Sequence, residues 1–188
     1  MNTPNLGQLA VLTLRQPAEA ARQLLALNPG REVLWLAFFL AVVLNCIIQL
    51  GIDLSIPVVE GDAGPITESV PIVLVRSAGT MMFSILAFLF VGRFLGGTAR
   101  FEGMMVLIVW VQYLQIAALL GVLILSLTIP FLMAVLLLAT AILSLYITLH
   151  FLNEAHQFGS LWKSFGVILL SALVAVPFVL MLAPVAPV

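Results

Sequence analysis

Apolar residues in this chain fall into runs separated by short polar interruptions, and run length carries the first inference. A helix rises about 1.5 Å per residue, so about 20 apolar residues cross the hydrocarbon core of a bilayer. Runs of that order lie at 33–52, 70–95, 104–127, 131–152 and 165–182. No Asp, Glu, Lys or Arg interrupts the tract from Met104 to Leu152. A single helix through it would reach more than twice the ~30 Å core, so the chain must fold back. Ser126-Leu127-Thr128-Ile129-Pro130 is where it can, because proline cannot continue a helix cleanly.

Residues 6–28 follow a different pattern. Leu14, Ala18, Ala21, Leu24 and Leu25 share one helical face, and Arg15, Glu19, Arg22 and Gln23 share the other. This spacing predicts an amphipathic helix lying in the headgroup layer, with its polar face open to a partner. Pro17 suits a first turn, and Asn28-Pro29-Gly30 is a stop. The expected fold is an all-α membrane protein: a five-transmembrane-helix bundle preceded by an amphipathic interfacial N-terminal helix. Segment 1–31 is then cytoplasmic, 32–183 forms the transmembrane domain, and 184–188 is a short periplasmic tail.

Composition agrees. The chain is 63% hydrophobic and 8% charged, against ~45–50% apolar residues in soluble domains. A net charge of −1 without a basic patch excludes a nucleic-acid partner. Cys46 is the single cysteine, so no intrachain disulfide can form. Arg15, Glu19 and Arg22 precede the first long apolar run, which argues against a cleaved signal peptide.

Charge placement sets the expected orientation. Basic residues mark the N-terminal segment (Arg15, Arg22, Arg31), the turn after the second span (Arg93, Arg100) and the 153–164 segment (Lys163). The 53–69 loop holds Asp53, Glu60, Asp62 and Glu68 without a basic residue, and the Pro130 turn and the tail have none. The positive-inside rule then predicts N-in, C-out in a plasma membrane.

Candidate chemistry is sparse. Asn45 and Gln49 share a face of the first span, Gln112 and Gln115 lie in the third, and Arg76 is the one charge well within a span. Buried amides look for partners on neighbouring helices, and an intramembrane arginine is a functional candidate by default. These five residues define a candidate polar pathway, with snorkelling of Arg76 toward Glu68 or Asp53 as the structural alternative. Small-residue stripes at Ser77, Thr80, Ser84, Ala87, at Thr140, Ser144, Thr148 and at Ser171, Ala175 suit close helix packing. Gly92-x-x-x-Gly96 matches a helix-dimer motif that would join two copies of the chain, but it straddles a helix end.

His150, Glu154 and His156 do not have zincin spacing, and the four loop carboxylates do not have EF-hand spacing. No phosphate loop or nucleophile elbow is present. The expectation is a non-enzymatic protein with no cofactor and no metal.

The pattern as a whole resembles a known family. Arg15-Gln16-Pro17 in a basic amphipathic stretch precedes five spans. The second span ends in Phe94-Leu95-Gly96-Gly97-Thr98-Ala99-Arg100-Phe101-Glu102-Gly103. Together these resemble the bacterial branch of the Yip family, the Ypt/Rab-interacting proteins, over about 14–182. The resemblance implies an integral membrane protein of the bacterial inner membrane, with a cytoplasmic N-terminus and no enzymatic activity. Eukaryotic relatives partner Rab GTPases. That activity is not carried over, because the aromatic Gly-Pro stretch of those members is absent and no proline stands near Tyr113.

Three functions follow as expectations. The first is a scaffold or accessory protein that engages a membrane or cytoplasmic protein through Arg15, Arg22, Gly96, Gly97, Arg100 and Glu102. The second is a small transporter or channel using the polar pathway. The third is membrane shaping or lipid handling by the in-plane helix.

Overall fold

The computed structural model describes residues 5–55, 69–126 and 132–182, and every regular element among them is a helix. The N-terminal segment forms two helices, α1 (Leu6–Arg15) and α2 (Pro17–Leu27), where the periodicity predicts one. Pro17 is the reason. It has no N–H to continue α1 but a backbone preset for a first helical turn, so it closes one helix and opens the next. The Asn5 side chain caps α1 through the Gly7 N–H, and α2 ends at Asn28 in the left-handed conformation.

The long helices are α3 (Arg31–Ser55), α4 (Val70–Phe94), α5 (Phe101–Ser126), α6 (Leu132–His156) and α7 (Leu161–Leu182). Each expected span has its helix, extended by up to a turn into the flanking polar residues. Within α3 to α6, four stretches (Arg31–Ile48, Val70–Phe94, Phe101–Val122 and Ala134–His156) are long and apolar enough to cross a membrane. In α7 the apolar stretch Leu161–Pro177 is shorter. Pro177 sits inside α7 without ending it. The turn at 127–131, most of the acidic loop (56–68) and the tail (183–188) lie outside the described residues.

Large apolar side chains cover the outer surface of the bundle: Leu36, Val75, Phe90, Ile142 and Leu173 are all exposed. In water such a surface would drive aggregation, and hydrocarbon is the solvent that suits it. The fold is that of a multi-pass membrane protein.

Helix α5 is the hub, packing against α3, α4 and α6 as well as α2. The larger core joins Leu34, Phe38 and Val42 of α3, Ile85 and Leu89 of α4, and Met104, Met105 and Val109 of α5. Tyr113 donates its hydroxyl to the Ala37 carbonyl (2.8 Å), fastening α5 to α3.

A second core corrects the expectation of a helix that merely rests in the headgroups. Leu9, Ala20, Ala21 and Leu24 pack against Leu107, Val111, Ile147 and Phe151 of α5 and α6. Trp110 donates its indole N–H to Thr13 (3.0 Å), and that threonine is fully buried. Ala20 and Ala21 have no exposed surface, and their small side chains let α2 come close to the bundle. At Gly103 a Cβ would come within 2.9 Å of Leu25, so the start of α5 is glycine where α2 crosses it. Leu14 of the apolar face is 46% exposed and so is open to lipid.

Candidate functional site

Two places concentrate polar atoms. The first is the end of the bundle where α4 turns into α5 and α6 into α7. Helix α4 closes in a Schellman motif: Gly97 N–H donates to the Gly92 carbonyl (2.8 Å) and Gly96 N–H to that of Arg93 (3.0 Å). Gly96 occupies the left-handed position (φ 89°), which glycine adopts without a Cβ clash. The Arg93 guanidinium then reaches across the turn to the Ala99 carbonyl through Nε (3.1 Å) and Nη2 (2.9 Å).

Beside this turn the last residue of α6, His156, is inserted into α4. The ring is 1% exposed and lies over both Gly92 and Gly97, where a Cβ on either residue would overlap it. His156 Nε2 is 3.1 Å from the Phe88 carbonyl. A carbonyl only accepts, so Nε2 carries the proton, and the buried Nδ1 is left an acceptor with no hydrogen-bond partner among the described residues. Phe158 stacks on the ring (5.0 Å between centroids), and Thr98 N–H donates to the His156 carbonyl (3.1 Å). The glycines at 92 and 97 are therefore the walls of a histidine slot. Because His156 covers Gly92, the Gly92/Gly96 pair does not present a free helix-dimer face.

The N-terminal helices reach the same end. Arg22 of α2 grips Glu154 of α6 through Nε (2.9 Å) and Nη2 (3.0 Å), with Glu19 beside it. The two carboxylates raise the Arg22 pKa, the hydrogen bond to Glu154 first among the causes. Arg31 and Glu102 approach at 3.6 Å, both well exposed. Arg15, Gly96 and Arg100 are also exposed. Arg22, Gly96, Gly97, Arg100 and Glu102 thus share one end of the molecule, with Gly97 occupied by His156 and Arg22 by Glu154, whereas Arg15 follows Leu14, which lies farther along α5 and α6 against Leu114 and Thr140. His150 lies against Tyr146 (4.7 Å) one turn from Glu154 on α6, while His156 turns away into α4. No group of three metal-ligating side chains occurs among the described residues.

The second place is a pair of grooves between the long helices, open at Thr80 and Leu137. A cavity of about 240 Å³ lies between α3, α4 and α5, lined by Asn45, Arg76, Ser77, Thr80, Ser84 and Gln112 among others. A second, of about 500 Å³, shares Asn45 and Gln112 with it and continues between α5 and α6 past Gln115, Ile116, Leu119 and Leu137. Four of the five predicted pathway residues, Asn45, Arg76, Gln112 and Gln115, thus line adjoining spaces. The side chain of Gln49 lies outside the described residues, as do those of Glu68 and Asp53, the outward partners considered for Arg76.

Asn45 donates to Ser77 (3.2 Å) and Gln115 to Ser144 (2.6 Å), joining α3 to α4 and α5 to α6 across the cavity walls. The α4 stripe behaves differently from expectation at three of its positions. Ser77, Thr80 and Ser84 line the opening, because side chains this short leave space where no neighbour closes in. Ser171 and Ala175 likewise line a space, of about 160 Å³, between α7 and α4, with Ala87 opposite.

The sequence pattern shows His156 only as a histidine without zincin spacing and does not reveal its insertion. A usable signal existed in the glycines, since two residues without side chains five apart at a helix end can admit a ring. Among known families, the model of the Yip1 domain matches residues 11–183. No curated protein and no solved structure matches the chain.

Proposed function

This chain belongs to the Yip family, and from that premise we propose that it is a non-enzymatic scaffold or accessory protein docking a partner on one end of its bundle. The observation that carries this reading is the convergence of three sequence-distant segments on one rigid surface. Arg22–Glu154 and Thr98–His156 tie the N-terminal helices, the glycine turn and the 153–164 segment together, leaving Arg100 exposed among them, and Arg15 is exposed at the end of α1. A surface already ordered in the free protein loses little entropy on binding.

The same end faces the cytoplasm, and α3 to α7 make five crossings of a bacterial inner membrane. Support for this orientation is that five of the seven Lys and Arg residues (Arg22, Arg31, Arg93, Arg100 and Lys163) belong to this end. Recovery of the tagged protein from its native membranes in polymer nanodiscs, with mass spectrometry, tests the docking reading. A stoichiometric protein should be recovered and be lost from Arg15→Glu/Arg100→Glu, neither residue being part of the core. Equal recovery with wild type and variant would sink it.

The two grooves favour a second reading, a transporter or channel whose solute passes Asn45, Gln112 and Arg76. Flux through the purified protein in liposomes, lowered by Gln112→Leu and Arg76→Ala, is its expected outcome. Flux indifferent to both substitutions removes it.

A further inference from the structure

The N-terminal pair of helices lies deeper than a helix resting among headgroups. Leu25 of α2 stands over Gly103 in the first turn of α5, and Leu14 of α1 stands against Leu114 and Thr140. Leu14 and Leu25 are as far apart in the chain as Gly103 and Leu114, so the segment runs antiparallel to α5, inward from its polar end. Met104 and Leu152 bound the tract without charges. At ~1.5 Å per residue, Leu114 is about 15 Å inward from Met104 and Thr140 about 18 Å inward from Leu152, the middle of a ~30 Å core. Helix α1 has the surface that this depth calls for. Leu9 and Thr13 are buried against the bundle, while Leu6, Val11 and Leu14 are exposed on the outside. Apolar side chains on both faces suit a helix with protein on one side and hydrocarbon on the other.

Two features at this depth identify an occupant. The first is Arg15, exposed where α1 joins α2. Among the described residues it has no ion pair: Glu19 is engaged by Arg22 (3.4 Å) and Gln23 (3.3 Å), and Glu154 by Arg22 (2.9 Å). Its side chain is too short to snorkel out over half the core, so phosphate and water must come inward to it. The second is an apolar groove of about 280 Å³ beside Leu14, between α5 and α6, lined by Leu114, Ala117, Ala118, Leu143 and Ile147 among others. Its polar side chains are already bonded, Gln115 to Ser144 (2.6 Å) and Thr140 to the Leu136 carbonyl (2.8 Å), so it offers a ligand hydrocarbon contact. A guanidinium at the edge of such a groove matches a phosphate that carries an acyl chain.

We propose that Arg15 and the groove beside Leu14 hold one phospholipid from the leaflet at the Glu102–Glu154 end. The guanidinium takes its phosphate, and one acyl chain lies along Leu114, Ala118 and Leu143. Charge-assisted hydrogen bonds from a guanidinium are the strong contacts available to a phosphate. The groove adds apolar burial, which a phosphate without a chain cannot use. Held there, the phosphate sits below the level of its neighbours, so the N-terminal helices thin that leaflet around themselves. The site goes beyond the docking reading and is independent of it, because it needs lipid alone and Arg100 takes no part.

The test uses the full chain, purified in a mild detergent and stripped of lipid. It is titrated with phosphatidylglycerol, with diacylglycerol of the same acyl chains, and with inorganic phosphate, read by native mass spectrometry. One phosphatidylglycerol should bind per chain, about tenfold tighter than diacylglycerol, and inorganic phosphate should not bind at the same concentrations. Arg15→Gln should remove the difference between the two lipids, and Arg100→Gln should leave it unchanged. Ala118→Phe, which fills the groove without touching the arginine, should weaken both lipids. Depth is read in bilayers from a fluorophore on Gln16→Cys in a Cys46→Ala background. A lipid with a mid-chain nitroxide should quench it with or without Arg15→Gln, and a headgroup nitroxide only while Arg15 is present. Four results would each overturn the assignment: equal affinity for the two lipids, an Arg100→Gln effect as large as that of Arg15→Gln, inorganic phosphate binding as tightly as the phospholipid, or a fluorophore beyond reach of the mid-chain nitroxide.

Discussion

At the end where α4 meets α6, side chains interlock until nothing can be added: a histidine ring fills the space over two glycines, and a phenylalanine covers it. Farther along α4, the same helix presents Ser77, Thr80 and Ser84 to an opening of about 240 Å³. Both regions are built from small residues on one helix. In the first, a neighbour supplies the missing volume and the ring is tied through Nε2 to a backbone carbonyl. In the second, no neighbour does, and hydroxyls and amides line an open space. Small residues permit close approach, and what approaches is decided by the other helices.

The sharpest way to break this comparison is to add one carbon to a wall of the histidine slot. Gly97→Ala should destabilise the protein by about 1–3 kcal/mol in detergent unfolding, because overpacking forces the ring or the backbone to move. Gly92→Ala should cost as much. Combined with His156→Ala, either glycine substitution should cost less than the sum of the single changes, since the slot is then empty. Additive costs would mean that the histidine is not what the glycines accommodate.

Next in size is Gly96→Ala, at about 1 kcal/mol from forcing an L-residue to a positive φ, with no effect of His156→Ala on that cost. Similar in size is Trp110→Phe. It removes the indole hydrogen bond to Thr13 and should cost about 1 kcal/mol, with faster proteolysis of α1 as the local readout. Unchanged protection of α1 would place its anchoring in the Leu9 and Ala21 contacts alone.

Ser84→Ala, facing the open cavity, should shift the unfolding midpoint least among the core changes, within ~0.5 kcal/mol. Smaller still is Arg22→Gln, an exposed pair member whose effect on the midpoint should vanish at high salt. A marked loss of stability there would mean that Glu154 is buried more deeply in the membrane than its partner's exposure implies.

These regions also differ in how far they could be read from the chain. Run lengths gave the long helices within a turn of their observed ends, because the bilayer fixes the length that an apolar helix needs. The amides at 45, 112 and 115 could be assigned to the interior for a similar reason: hydrocarbon does not hydrogen-bond, so they had to turn toward other helices. The N-terminal segment was legible as amphipathic but not as docked. A helix with an apolar face looks the same whether it rests on lipid or on Leu107 and Phe151, and the break at Pro17 reads equally well as a beginning. His156 was the least legible, because its neighbours Phe88, Gly92 and Gly97 are about sixty residues away along the chain.

By itself, then, the sequence determined that this is a helical membrane protein of the Yip family, which residues enter hydrocarbon, and which end gathers the basic groups. Those properties are set residue by residue through transfer free energy and charge. Only the tertiary structure decided that a histidine closes the glycine turn, that the N-terminal helices lock onto α5 and α6, and that Arg76, Asn45 and Gln112 surround a space. A slot and a cavity are relations between helices, and no periodicity along one helix records which volume its neighbours fill.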